Sequence, residues 1–311
     1  MPKPVSYIHT NAAPSKCGLV TLSVISHGHR VLVTRLLRDL ARFQSPRIAL
    51  IVITLNLSEE RPEVPPELKT PIQWCSNADP RGFGSNHNRA FGFCRTEWFA
   101  VVNPDIRLLS DPFERLHLAS GDQVGLVAPL VVDSLNQFSD SARGLITPFE
   151  ILRRRLSTPT PVSEPAWVAG MFLIIRSEVY RGVSGFDERF YLYCEDFDLC
   201  ARIKLLGWDI VLDRTTTVIH DAQRESHKSI RHLLWHLQSL ISMWTSRTWW
   251  RYREFLNRDR NVPLHSIHQV ETTACESLCS GKKRFVRPSG HRRKLHMSTA
   301  PNQKPSREDD Q

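Results

Sequence analysis

Short runs of apolar, largely β-branched residues, ending in polar ones, set what this chain can fold into. The first is "LVTLSVISHGH" (residues 19–29), the second "RIALIVITLN" (47–56), a shorter one is "PIQWCSN", and another is "WFAVVNPDI" (98–106). Between them, "RVLVTRLLRDLARF" has a helical apolar period and "SNHNRAFGFCRTE" reads as a helix leading into the next strand. Strands alternating with helices predict an α/β fold with a mainly parallel central sheet, both faces covered by helices. Ligands in such sheets bind outside the carboxyl ends of the strands. The polar ends Ser26 and His27, Asn56, and Asn103 to Asp105 are therefore expected to converge on one crevice.

Further along, "QVGLVAPLVV" (123–132) adds a strand, a polar and basic loop runs to about Pro165, and "WVAGMFLIIRSEVY" (167–180) reads as a strand entering a helix. Then "RFYLYCEDFDLCARIKLLGW" sets Glu195, Asp196 and Asp198 ahead of Leu199, Ile203 and Leu206, a helical spacing. Acidic residues in a first helical turn complement the macrodipole, so capping accounts for one or two of them. The aromatic approach "FDERFYLYC" brings them to the rim of a core, where a carboxylate is a candidate acid or base.

With 311 residues, 41% of them hydrophobic, the chain can bury one large α/β domain or two smaller ones. No run reaches the ~18 apolar residues of a membrane span and the first residues lack an apolar signal core, so a cytoplasmic location is expected, with the inner face of the cell membrane as an alternative station. Seven scattered cysteines fit reduced thiols. The net charge of +9 is concentrated toward the end: from Asn257 onward there are 11 Lys plus Arg against 6 Asp plus Glu. That Pro- and Ser-rich stretch lacks an apolar period, which predicts a disordered basic tail over 258–311 behind a flexible 1–18 and a folded 19–257. Within the tail, His265, His268, Cys275 and Cys279 are spaced loosely like a zinc site but lack the short Cys pairing of common fingers. Residues 229–255 mix Trp and Leu with Arg and His at helical spacing; packing on the domain is favoured over lying on an anionic membrane surface, and peripheral membrane contact stays open.

Three pieces in one order, "NPD", "GFDERFYLYCEDFDLCARI" and "IHD", together with "GFGSNHN", resemble the family-2 glycosyltransferases, most closely their rhamnosyltransferase-like branch. The likeness covers roughly residues 19–256, with a nucleotide-sugar half over about 19–110 and an acceptor half over about 111–257. It implies a GT-A fold, a nucleotide-sugar donor, transfer with inversion to a glycan or lipid-linked acceptor, a divalent metal (Mg or Mn), a role in cell-surface polysaccharide synthesis, and no specific nucleic acid.

Residue by residue, the resemblance makes Asp196 the catalytic base and Glu195 an acceptor-side residue, with Asp198 capping the helix or supporting a neighbour. Asp105 stands where the family bridges its metal, and His220 near the metal or diphosphate, unless it is structural. Ser26, His27, Asn56, Asn86 and Asn88 fall on the donor side with Asp105, where Gly82 and Gly84 let backbone approach closely; a turn and helix cap around His87 is the plainer reading. Trp167 and Gly170 match the acceptor side or plain core strand. The chain departs from the family where "TLNLS" puts Leu55 at the position of a base-contacting Asp, and where "SHGH" ends the first strand; both leave the nucleotide undetermined. The alternative function is a catalytically inactive GT-A protein acting as a basic nucleic-acid-binding or scaffold protein.

Overall fold

The computed structural model describes residues 18–138, 141–151, 165–220 and 230–260. They fall within one compact unit, Met1–Asn261; Val262–Gln311 form a second unit. The expected N-terminal segment, the basic tail from 261 and the His265, His268, Cys275, Cys279 spacing lie outside the described residues.

The expected β/α alternation is present. Strand β1 (Val20–Ser26) is followed by helix α1 (Arg30–Phe43), strands β2 (Ile48–Leu55) and β3 (Ile72–Ser76), helix α2 (Phe83–Phe91) and strand β4 (Trp98–Val102). Strands β3, β2, β1 and β4 lie side by side and parallel. In β1, Val20, Leu22 and Val24 face α1, whose Val33, Leu36, Leu37 and Leu40 repeat at helical spacing. The alternate residues Thr21 and Ser23 point to the other face, are also fully buried, and are satisfied there: Thr21 Oγ1 lies 2.8 Å from Thr96 Oγ1, and Ser23 Oγ 2.8 Å from His87 Nδ1.

The run "WFAVVNPDI" does not continue as one strand. It breaks at Asn103–Asp105 and resumes as β5 (Ile106–Leu108), since proline has no N–H to donate to a strand ladder. Asp111 caps α3 (Pro112–Leu118) by accepting from Phe113 N at 2.9 Å, with proline at the first helical position. Strand β6 (Val124–Val132) follows. The stretch "WVAGMF" splits: β8 (Trp167–Val168) pairs with β7 (Ala142–Arg143) in a two-stranded sheet, and β9 (Phe172–Arg176) enters the main sheet. Helices α4 (Ser177–Gly182) and α5 (Glu195–Leu205) precede β10 (Asp209–His220), and α6 (Ile230–Trp244) and α7 (Arg247–Arg260) complete the described chain.

The main sheet runs β3-β2-β1-β4-β9-β6-β10-β5. Its β9 is antiparallel to both β4 and β6, while β10 is parallel to β6. Consequently β9 starts where β4 ends, and β10 ends on that same edge. The second core layer, with Phe99, Tyr180, Phe186, Phe197, Leu199, Ile203 and Tyr252, lies on the face away from α1.

Candidate active site

The topology gathers the expected residues at one end of the sheet. At the end of β4, Asn103 N donates to Met171 O at 2.9 Å, which ties the Asn-Pro-Asp turn to the residue beside Gly170. Gly170 N in turn donates to Asp196 Oδ2 at 3.0 Å. Asp105 and Asp196 thus flank one short backbone path, although 91 positions of sequence separate their numbers.

His220 ends β10 opposite Ile106 of β5, so its ring meets the preceding residue: Nε2 lies 3.0 Å from Asp105 Oδ2. Asp105 Oδ1 is buried with no hydrogen-bond partner among the described residues. A carboxylate oxygen left bare at a strand end, beside an imidazole nitrogen, has the chemistry of a cation site completed by ligand oxygens and water. Among the described residues no group of three or more His, Cys, Asp or Glu side chains is placed to hold a metal, so this pair offers at most two protein ligands.

Asp196 sits at the start of α5. Its Oδ1 accepts from Phe197 N at 2.8 Å and its Oδ2 from Gly170 N, so both oxygens are fixed by backbone while each keeps a lone pair. Burial raises its carboxyl above the usual range, against the pull of those two N–H groups and of Arg143. Glu195 is more deeply buried, with Oε2 unpartnered among the described residues. Burial pushes its carboxyl well above the usual range and the Asp196 charge pushes it further. One carboxylate of the pair therefore ionises ahead of the other, and the hydrogen-bonded one is Asp196.

The turn that delivers this pair is strained. Tyr193 and Cys194 have φ of 73° and 66°, and Cys194, at the helix N-cap, makes no side-chain capping bond. Two consecutive non-glycine residues in the left-handed region cost about 1–3 kcal/mol each. Surrounding contacts hold them: Phe83 N donates to Tyr191 O at 2.9 Å, Ser239 Oγ to Leu192 O at 2.8 Å, and Tyr193 Oη lies 3.2 Å from His232 Nδ1. Asp198 supports a neighbour. Its Oδ2 accepts from Arg202 Nε at 2.7 Å, and Arg202 donates onward to the carbonyls of Val183 and Gly185.

Beyond the end of β2, Asn56 is buried and fully engaged. Its Nδ2 donates to Arg81 O and meets His27 Nδ1, both at 2.9 Å, and its Oδ1 accepts from Arg81 N and Asn77 Nδ2, both at 2.8 Å. Asn77 Nδ2 also donates to Asn86 Oδ1 at 2.7 Å, and Asn86 Nδ2 donates to the carbonyls of Arg81 and Gly82. These three asparagines pin the loop after β3, beside a cavity of about 360 Å³ lined by Asn77, Asp79, Arg81 and Arg89. Ser26 Oγ accepts from His29 N at 3.2 Å, and burial holds His27 below the usual imidazole range.

Asn88 spends its carboxamide on the acidic loop, donating to Phe186 O and Glu188 Oε1 and accepting from Tyr180 Oη and Phe186 N. His87 is a core residue, its ring pushed by burial down to about 3 and therefore neutral. Gly82 and Gly84 do permit close approach, but of the chain to itself: a Cβ on Gly82 would lie 2.7 Å from Tyr191 O, and one on Gly84 2.6 Å from Phe186 Cβ. Trp167 is buried, edge-on to Phe197, with its Nε1 donating to Gly144 O at 2.9 Å.

Sequence reasoning passed over Asn77, Arg143 and the Tyr193–Cys194 turn. Asn77 follows a strand as Asn56 does and was findable by that rule. Arg143 sat in a polar stretch without pattern, and the left-handed turn carries no glycine to betray it.

With this geometry in place, solved structures can be set beside it. A mannosyltransferase from Pyrobaculum calidifontis, in complex with GDP-Man and Mn²⁺, superposes with a TM-score of 0.53 at 16% identity over 87% of this chain and 84% of its own. GalNAc-T7, with UDP, GalNAc and Mn²⁺, gives 0.52 at 15% identity over 67% and 44%. The chain has the GT-A fold. Sequence relatives carry the GT-A likeness into the branch the motifs pointed to: it is similar to family-2 glycosyltransferases of the rhamnosyltransferase type. The N-acetylglucosaminyl-diphospho-decaprenol L-rhamnosyltransferase of Mycobacterium tuberculosis is 28% identical over 177 residues, 50% of this chain and 58% of that enzyme. Rhamnosyltransferase WbbL of Escherichia coli K12 is 35% identical over 74 residues, 24% of this chain and 28% of its own. The chain thus matches little more than half the length of the mycobacterial relative. No protein-family profile matches it.

Proposed function

We propose that this protein is an inverting glycosyltransferase that moves a sugar, rhamnose by the likeness of its relatives, from a nucleoside diphosphate donor to a hydroxyl of a glycan or lipid-linked acceptor in cell-surface polysaccharide synthesis. It would act in the cytoplasm. The observation that carries this reading is the joining of the Asp105–His220 pair to Asp196 through Asn103, Met171 and Gly170 at one sheet end.

Asp196 is the base in this reading. As the acceptor oxygen forms its bond to the anomeric carbon, the bond from that carbon to the diphosphate oxygen breaks and its electron pair leaves with the diphosphate. The hydroxyl proton passes to Asp196, whose raised carboxyl makes it a better proton acceptor than an exposed aspartate. Attack from the face opposite the diphosphate gives inversion. Gly170 N–H and Phe197 N–H keep the carboxylate from turning away, while Glu195 orients the acceptor and, holding its own proton, leaves the charge on Asp196. Asp105 and His220 would hold a divalent cation on the diphosphate, and the bare Asp105 Oδ1 fits that role. When bound, such a cation neutralises charge growing on the leaving group. Asn56, Asn77 and Asn86 shape the donor loop, and Trp167 and Gly170 wall the acceptor side.

The test is turnover. Nucleoside diphosphate release from a panel of sugar nucleotides is followed with an N-acetylglucosaminyl-diphospho-lipid as acceptor. Release with at least one donor is expected; none with any donor would sink the reading.

A further inference from the structure

We propose that the outward face of α6 docks on the surface of an anionic lipid bilayer. On this helix Leu233, Leu234, Leu237 and Ile241 are 55%, 60%, 48% and 61% exposed. At 100° per residue they fall within one stripe of about a quarter of the circumference. The stripe is no leftover of the core, because the far side of the helix, with Ser239 and Met243, is already buried.

Charge selects the occupant. From Ile230 to Arg260 the two helices carry six arginines and two acidic residues, Glu254 and Asp259, and α6 itself carries no acidic residue. Arg247, Arg251 and Arg253 are exposed, and Arg253 lies over the rings of Trp249 and of Trp250, which is 55% exposed. Between them the two helices expose an aliphatic stripe, arginines and a tryptophan, the composition of a segment lying in the headgroup region. A twofold contact of α6 with the α6 of a second copy would bring no acidic side chain of that helix to meet the arginines. With 15 residues, or roughly 22 Å, α6 is too short for the bilayer core, and no described helix is long and apolar enough to cross it.

The inner side of the same helix grips the catalytic turn. His232 meets Tyr193, the tilted rings of Trp235 and Tyr191 lie 4.8 Å apart, and Ser239 donates to Leu192 O, all just ahead of Glu195 and Asp196. A bilayer against α6 therefore lies one helix thickness from the proposed base, where a lipid-linked hydroxyl would be presented. This last step rests on the transferase reading; the docking surface does not.

The test floats the full chain with phosphatidylcholine vesicles and with vesicles also containing phosphatidylglycerol. The wild type should bind the anionic vesicles and bind the neutral ones more weakly. The triple variant Leu233→Ser, Leu237→Ser, Ile241→Ser should lose at least about tenfold in vesicle partitioning, since each leucine withdrawn from lipid forfeits much of its transfer energy. The double variant Arg247→Glu, Arg251→Glu should lose binding to anionic vesicles selectively. Metal-dependent nucleoside diphosphate binding is measured on the same samples and should be unchanged. Failure of the wild type to bind either vesicle, or undiminished binding by the triple variant, overturns the proposal. So does a wild-type dimer that the triple variant splits, which would assign the face to a second copy. Vesicle binding without nucleoside diphosphate binding would remove the transferase reading and leave the docking surface standing.

Discussion

At the scale of single residues, Asp196 and Glu195 are set apart by their surroundings. Two backbone N–H groups aim Asp196, while Glu195 is sunk beside it without a partner for Oε2 among the described residues. Asp196→Asn should lower transfer by about 10²–10⁴, because the carboxamide cannot take the proton, while nucleoside diphosphate binding persists; retention of a tenth or more of wild-type turnover would contradict the assignment. Glu195 makes a prediction about pH. Its folded carboxyl is raised above its unfolded value, so between the two the folded chain binds more protons, and stability falls as pH rises through that window. Glu195→Gln should therefore melt higher than wild type at about pH 8 and lose that advantage below about pH 4.5, where the unfolded glutamate is itself protonated. Equal or lower melting of the variant at the higher pH would show that Glu195 is not penalised by burial. The acidic pair was legible in the sequence from its aromatic approach. Its aim was not, because the group that aims Asp196 is a backbone N–H at Gly170, which no side-chain pattern announces.

At the scale of elements, apolar period and apolar runs place the elements of this chain better than they bound them. Helix α1 coincides with "RVLVTRLLRDLARF", whose apolar residues repeat every three to four positions. The run to Ile106 reads as one strand yet breaks at Asn-Pro-Asp, and residues 229–255 read as one helical stretch yet divide at Thr245 and Ser246 into α6 and α7. Both helices pack on the domain, where Trp244 Nε1 and Trp249 Nε1 donate to the same carbonyl, Ile146 O. The packing of α2 against the loop before Glu195 depends on Gly82, where an added Cβ meets backbone, which cannot swing aside as a flexible side chain can. Gly82→Ala should thus cost about 1–3 kcal/mol and lower the melting temperature by several degrees, with transfer falling more than stability because the catalytic turn is displaced. Unchanged melting and activity would mean that α2 and the turn are not in register as described.

At the scale of the whole molecule, the parallel half of the sheet, β3-β2-β1-β4, follows from alternating strands and helices, and the convergence of polar strand ends follows from the parallel arrangement. The antiparallel insertion of β9 was not legible, since a fully buried strand has the same apolar run in either direction. That insertion is what turns Gly170 and Met171 toward the end of β4 and joins the two carboxylate sites. In the proposed transferase site, Asp105 and His220 form the cation and diphosphate end, and Asp196 the acceptor end. Thermal melting with UDP, GDP and dTDP, each with Mn²⁺ or with a chelator, tests it most directly, because a ligand bound to the folded state raises its apparent stability by mass action. At least one nucleoside diphosphate should raise the melting temperature with Mn²⁺; the rise should disappear with chelator and in Asp105→Ala, and survive in Asp196→Asn. No stabilisation by any of the three, or a rise indifferent to chelator and to Asp105→Ala, would contradict it.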